Sequence, residues 1–403
     1  MIREFFMTSK FLAAAVAAFC VTTALPAWAD VKIGILNDQS GVYADYGGKT
    51  SIEAAKMAVE DFGGTVLGGK IEIVAADHQN KPDVAVNIAR KWYDTDGVDM
   101  ITELTTSSVA LAVQELTKEK KKVNIVVGAA SSALTGASCS PYGFHWAFDT
   151  HALAVGTGGA MVKAGGDSWY FLTVDYAFGH ALEKDTTDIV KASGGKVLGA
   201  VRIPLNTSDY SSFLLQAQGS KAKVVGLANA GADTINSIKQ AAEFGIVTGG
   251  QKLAALLLTA SEVHGLGLKA AQGTVLTESF YWDLNDKTRA FGERFYKRTG
   301  RMPSMIQAGT YSATLSYLKA VKAAGTKDSD AVVKKLKELP VDDAFTTGGK
   351  VQANGRMVAD LFLFEVKKPE ESKRPWDYYK LLAKVPGHTA YPTAQESGCP
   401  FTK

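Results

Sequence analysis

An α/β fold of two doubly wound parallel-sheet lobes is predicted by three observations. The chain has 403 residues, 46% of them hydrophobic, and single cores stop growing near ~250–300 residues. Apolar runs of strand length alternate with segments of helical periodicity, as in a parallel sheet wound by right-handed crossovers. The alternation restarts at Asp149, so two sheets are expected rather than one.

The order begins with Met1–Ala29, where Arg3 and Lys10 precede an apolar stretch from Phe11 to Leu25, and Ala27-Trp28-Ala29 precedes Asp30. This is the pattern of a cleaved secretory signal, and the mature chain is expected in an exported compartment. Val31–Leu36 reads as a buried strand, Asn37–Gly48 as an aromatic loop, Thr50–Asp61 as a helix, Lys70–Ala75 as a second strand and Asp83–Asp94 as a helix. An apolar run from Val98 then enters the hydroxyls Thr105, Thr106, Ser107 and Ser108, followed by helical spacing to Leu116. Val123–Thr135 repeats that grammar, with Gly128, Ala129, Ala130, Ser131 and Ser132 after the strand, and Phe144–Phe148 follows.

In the second half the expected elements are helix Ala152–Ala164, strand Ser168–Val174, helix His180–Ala192, strand Lys196–Arg202, helix Tyr210–Gln218, strand Val224–Ala228 and helix Asp233–Phe244. The apolar Leu253–Leu258 and a strand or crossover at Glu278–Asp283 come next, then helices around Thr288–Thr299 and Ser304–Ala324. No later apolar stretch reaches the ~20 residues of a membrane helix.

Helix starts leave backbone N–H groups without partners, and hydroxyls there add further donors. Two such turns at neighbouring strand ends would offer an anion one crevice. Structural capping is the competing reading of either turn alone. The formal charge of +3, or +2 once Arg3, Glu4 and Lys10 leave with the leader, gives no nucleic-acid signature. The two cysteines after the leader, Cys139 and Cys399, form an even set in an oxidising compartment. A disulfide is expected to pin the C-terminal tail to the loop around Cys139, with two separate thiols as the alternative.

Taken together, VKIGILNDQSGVYADYGG, the TTSS turn, VGAASSALT, DYAFGHA at Asp175–Ala181 and ANAGADTINSIKQAAEFG at Ala228–Gly245 resemble the periplasmic solute-binding proteins of ABC importers. The resemblance is to the branched-chain (leucine/isoleucine/valine) amino-acid-binding family. It implies the type I architecture: two lobes joined by a three-segment hinge, with lobe one at 30–149 and 280–345 and lobe two at 150–279 and 346–403. It also implies a periplasmic monomer that performs no catalysis and uses no cofactor or metal. Its partners would be a small carboxylate-bearing ligand and the membrane permease with its ATPases.

By the same resemblance, Thr106, Ser107, Ala129, Ala130 and Ser131 would hold the ligand carboxylate. Tyr46, with Tyr43 nearby, and Phe178 would wall the pocket, with Tyr281 as a further ring. Asn229 and Asp233 on the lobe-two loop and Gln307 beyond Pro303 would face the cleft. The departure lies in lobe two, where relatives place an acid to receive an ammonium group. Here the apolar strand ends in Leu258 and Thr259, and Glu262, a helix-start residue, is the nearest carboxylate. An aromatic or other apolar carboxylate therefore fits better than an amino acid, which ranks next.

An enzyme finds little support: there is no G-x-S-x-G elbow, no HExxH and no cysteine pair at zinc spacing. An exported sensor of the same fold, acting on a chemoreceptor or kinase, is the alternative that composition leaves open.

Overall fold

The computed structural model describes residue 1 and residues 30–402; the signal-peptide expectation for Met1–Ala29 lies largely outside them. Strands β1 (Val31–Asn37), β2 (Thr65–Val66), β3 (Gly69–Asp77), β4 (Met100–Glu103), β5 (Val123–Val126) and β6 (Gly143–His145) form one sheet in the order β2-β3-β1-β4-β5-β6. All neighbours are parallel except the β2–β3 edge hairpin. Ile33, Ile35, Met100, Ile101, Ile125 and Val126 are fully buried. Such continuous apolar runs suit strands covered by helices on both faces.

The second sheet contains β7 (Ser168–Val174), β8 (Lys196–Ile203), β9 (Val224–Ala228), β10 (Lys252–Ala255) and β11 (Val275–Glu278). Beyond a small hairpin of β12 (Lys350–Val351) and β13 (Met357–Val358), it is completed by β14 (Leu361–Val366) and β15 (Tyr379–Val385), giving β15-β14-β11-β10-β9-β7-β8. Strands β7 to β11 are parallel, as the crossovers require, but β14 and β15 run antiparallel. The sheet is thus mixed rather than purely parallel. Residues 367–378 join β14 to β15, and the antiparallel pair completes the open edge of the sheet.

The expected helices are present with shifted ends: Gly48–Phe62, Ser107–Lys120, Ala177–Ala192, Ala232–Glu243, Asp286–Thr299 and Met305–Ala324. A further helix, Ser329–Glu338, was not foreseen. Strand β10 stops at Ala255, so Leu256–Leu258 turn out of the sheet; of the strand or crossover expected at Glu278–Asp283, Glu278 ends β11 and the residues after it form the crossover to the other lobe.

The chain passes between the lobes after β6, after β11 and again before β14. Buried Arg356 braces the first passage, donating to Phe148 O at 2.9 Å and to Trp146 O while its guanidinium covers the Tyr391 ring at 4.5 Å. Asp149 lies 3.7 Å from it. An arginine bonded to several carbonyls immobilises the strand end that feeds the second lobe.

Cys139 and Cys399 are bonded, as expected, with Cα atoms 5.6 Å apart and a sequence separation of 260. Closing so long a loop removes much of the unfolded chain's freedom. In denaturant titrations, Cys399→Ser is expected to lose about 2–5 kcal/mol of stability; an unchanged midpoint would show that the tail is held by its other contacts alone.

Candidate functional site

Strand β4 ends in two consecutive residues of left-handed backbone, Glu103 at φ 77° and Leu104 at φ 53°. Non-glycine residues adopt this region only when their surroundings hold them there. Leu104 N donates to Leu36 O at 3.0 Å, while Val127 N and Gly128 N donate to Glu103 O at 2.9 and 3.0 Å. The kink carries Thr105, Thr106 and Ser107 out of the sheet. Gly128 faces it so closely that a Cβ would lie 2.9 Å from the Thr105 Cα.

Helix Ser107–Lys120 starts after Thr106 with no side-chain cap on its first turn, leaving N–H groups and the positive end of the dipole for an anion. Ser107 Oγ accepts from Ala130 N at 3.3 Å and Ser131 N at 3.2 Å. These bonds join the two hydroxyl turns and leave the Ser107 proton to donate elsewhere.

Thr105 and Thr106 are committed to the scaffold. The Thr105 hydroxyl donates to Glu103 Oε2 at 2.6 Å. That of Thr106 donates to Asn80 Oδ1, and Asn80 Nδ2 donates to Asp38 Oδ2 at 2.6 Å. Asp38 in turn accepts from Gly41 N at 2.7 Å and Tyr43 N at 2.9 Å. A continuous chain of hydrogen bonds therefore fixes the aromatic loop relative to the hydroxyl turn. Asp38 and Asn80 were not singled out from sequence; only Asp-x-x-Gly before an aromatic hints at such a turn.

Between the sheets lies a narrow, nearly closed cavity of about 10 Å³. Tyr43, Tyr46, Thr105, Ser107, Gly128 and Ala130 line it from one lobe, and Tyr176, Phe178, Ala230 and Leu257 from the other. No charged side chain is among them. The walls stand far closer than in the ~300–1,000 Å³ of drug-sized ligand sites, so a solute is admitted only as the lobes part. Larger hollows elsewhere are surface features that carry charged residues such as Lys184 and Asp188, or Arg294 and Lys322.

Of the sequence-derived site residues, Tyr46, Ser107, Ala130 and Phe178 meet at this cavity. The others stand behind or beside it. Thr106 is the strut just described, and Ser131 contributes its backbone N–H to Ser107. Ala129 O accepts from His145 Nε2 at 2.8 Å. Gln307 Nε2 donates to Tyr46 O at 3.0 Å and so supports that ring's backbone from behind. Asn229 bonds Thr234 and Ser237 of its own helix, at 2.8 and 3.2 Å. Asp233 accepts from Asn206 N and Thr207 N, each at 3.1 Å. Tyr281 packs 4.7 Å from the Tyr379 ring and donates to Trp376 O at 3.0 Å, on the hinge side of the core.

Three buried glutamates surround Tyr46 without lining the cavity. Burial pushes Glu103 and Glu262 up to about 7 and Glu278 up to about 8. Glu262 is indeed a helix-start residue: it accepts from Thr259 N at 2.7 Å and from Gly231 N. Glu278 accepts from Ala260 N at 3.2 Å, Tyr379 Oη at 2.7 Å and Met305 N at 3.4 Å, tying the second passage to the start of helix Met305–Ala324.

A model of the periplasmic binding protein family matches residues 30–373. The chain belongs to this family. A periplasmic binding protein from Burkholderia mallei is 54% identical, with a TM-score of 0.91 over 93% of this chain and 99% of its own. A branched-chain amino acid ABC transporter periplasmic ligand-binding protein from Burkholderia xenovorans is 41% identical, with a TM-score of 0.83 over 93% and 100%. A solute-binding protein of an ABC transporter from R. palustris, in complex with benzoate, shares the fold at 22% identity, with a TM-score of 0.82 over 92% and 100%. The branched-chain resemblance and the two-lobed α/β fold read from sequence agree with these matches. Among the described residues no helix is long and apolar enough to cross a membrane.

The raised glutamates make stability depend on pH. Glu278 keeps its proton in the folded state up to about pH 8, whereas its ordinary value is 4.5. Between these values the folded chain binds more protons than the unfolded one, so its stability falls as pH rises. Thermal melts from pH 5 to 8.5 are expected to fall less steeply for Glu278→Gln than for the parent; parallel curves would remove Glu278 as a source.

Proposed function

We propose that this chain is the exported solute-binding component of an ABC importer, and that it captures a small carboxylate with a single aromatic or otherwise apolar body. The observation that carries this reading is a cavity between two lobes with a hydroxyl-and-amide turn on one side, rings and Leu257 on the other, and no charged side chain on its wall. An acid's carboxylate sits at the Ser107 helix start and takes the Ser107 hydroxyl and first-turn amides. Its ring packs between Tyr46 and Phe178, where edge and face contacts add to apolar burial.

Closure of the lobes excludes water and strengthens these bonds, and contacts to both lobes shift the population toward the closed form. The solute is then handed to a membrane permease without chemistry. Export through the leader at 1–29 and division into lobes at 30–149 with 280–345 and at 150–279 with 346–403 complete the reading. The benzoate in the R. palustris relative supports the ligand class, while the B. xenovorans relative, a branched-chain amino acid ABC transporter ligand-binding protein, makes leucine-type amino acids the comparison to run.

Calorimetry of the mature chain is expected to show binding of benzoate-type acids in preference to leucine. Ser107→Ala should weaken that binding about 5–30-fold through loss of one charge-assisted hydrogen bond. Tight leucine binding with no response to aromatic acids would overturn the ligand class; unchanged affinity in Ser107→Ala would misplace the carboxylate.

A further inference from the structure

Tyr43 and Tyr176 come from different lobes, and their hydroxyl oxygens lie 2.7 Å apart. Both line the cavity. Tyr43 is 2% exposed, whereas Tyr176 is partly open to solvent, so the pair stands between the cavity and bulk water. Burial raises the ionisation of both phenols above the ordinary range, and at neutral pH each keeps its proton: one donates and the other accepts.

The meeting is enforced by the backbone on either side. Ala232 N donates to Val42 O at 3.2 Å, directly joining the aromatic loop to the lobe-two loop. Gly231 has φ 64°, and a Cβ there would lie 2.6 Å from Val42 O. Only glycine permits so close an approach. Each phenol ring also rests on a neighbour of its own lobe, Tyr43 at 6.1 Å from Tyr46 and Tyr176 at 5.9 Å from Phe178. Rings that are packed in this way cannot swing aside freely.

We infer that the Tyr43–Tyr176 phenol pair is a size gate, which closes the outer wall of the cavity and disfavours an occupant long enough to hold the two hydroxyls apart. This rests on the cavity being the ligand site. A longer solute must part the two hydroxyls, and Tyr43, being buried, is then left without a partner. Leaving a buried donor or acceptor unpaired costs more than an ordinary hydrogen bond contributes. Selection against length therefore arises from two residues that need not contact the preferred ligand's carboxylate.

The test is calorimetry of the mature protein with two short–long pairs: benzoate against biphenyl-4-carboxylate, and leucine against tryptophan. The parent should favour the short member. In Tyr176→Ala that preference is expected to fall about tenfold, and in Tyr176→Phe, which keeps the ring and its packing, about fivefold, as for loss of one hydrogen bond. Tyr176→Phe decides the matter if the alanine variant does not fold, as judged by circular dichroism. A parent that takes both lengths equally, or an unchanged preference in the folded variants, overturns the gate. Binding of leucine without benzoate overturns the aromatic-acid reading alone, and the gate is then judged on the leucine–tryptophan ratio. If the parent binds none of the four, both readings fall.

Discussion

The site depends on one buried carboxyl group, that of Glu103. Its side chain is fully buried at the end of β4, where it accepts from Thr105, from Ser51 at 3.3 Å and from Asn37 at 3.5 Å. These partners belong to the hydroxyl turn, the first helix and the end of β1. Its carbonyl takes the N–H groups of Val127 and Gly128, from the second turn. One residue in strained backbone thus joins four segments. The strain is offset because the kink at Glu103 and Leu104 is what lets five polar partners converge. With burial holding its proton up to about 7, the group spends much of its time neutral near physiological pH, which relieves the penalty of a charge in the core.

From this anchor the lobes divide their labour. Lobe one supplies hydroxyls and amides already oriented by the scaffold, and lobe two supplies Phe178, Ala230 and Leu257. Neither half encloses a solute alone. Polar groups fixed in advance lose little freedom on binding, and the apolar half removes water from around them. The contacts Ala232 to Val42 and Glu278 to Met305 show that closure also has a protein–protein component. Ligand contacts therefore add to an interface that the two lobes already make.

Much of the fold was legible because strand and helix periods alternate cleanly and restart at Asp149. The C-terminal hairpin β14–β15 was not, since Leu381 and Leu382 are half-exposed on an edge strand and break the simple in–out alternation. At the site, sequence pointed to the two turns that meet the cavity but not to which hydroxyl faces it. In TTSS, consecutive residues project in different directions, and the left-handed pair at Glu103 and Leu104 decides which is which; nothing in the composition announces such backbone at a glutamate and a leucine. Tyr176 was passed over for Phe178 in the same DYAFGHA motif. The first is extended at φ −156° before the helix, the second lies in its first turn, and both reach the cavity because the motif bends between them. Asn229, Asp233, Tyr281 and Gln307 were plausible by type, yet each is bonded within the scaffold.

The absence of an ammonium partner has a structural cause. Glu262 is a buried acid behind the lobe-two wall, and both its oxygens are occupied, one by Thr259 N and the other by Gly231 N. Its role is to hold the Ala230–Gly231 loop against the start of its own helix. The cavity wall beside it is Leu257 and Ala230. An ammonium group placed there would surrender its hydration to apolar carbon and find no free anion, whereas a ring would meet carbon with carbon. Burying an unpaired charge is far more costly than burying an unpaired neutral group. Drawing Glu262 toward a zwitterion would release Gly231 N–H, and Gly231 is the residue on which the aromatic loop of lobe one rests. In the proposed reading, cleft closure and exclusion of an ammonium group are thus coupled through the same carboxylate.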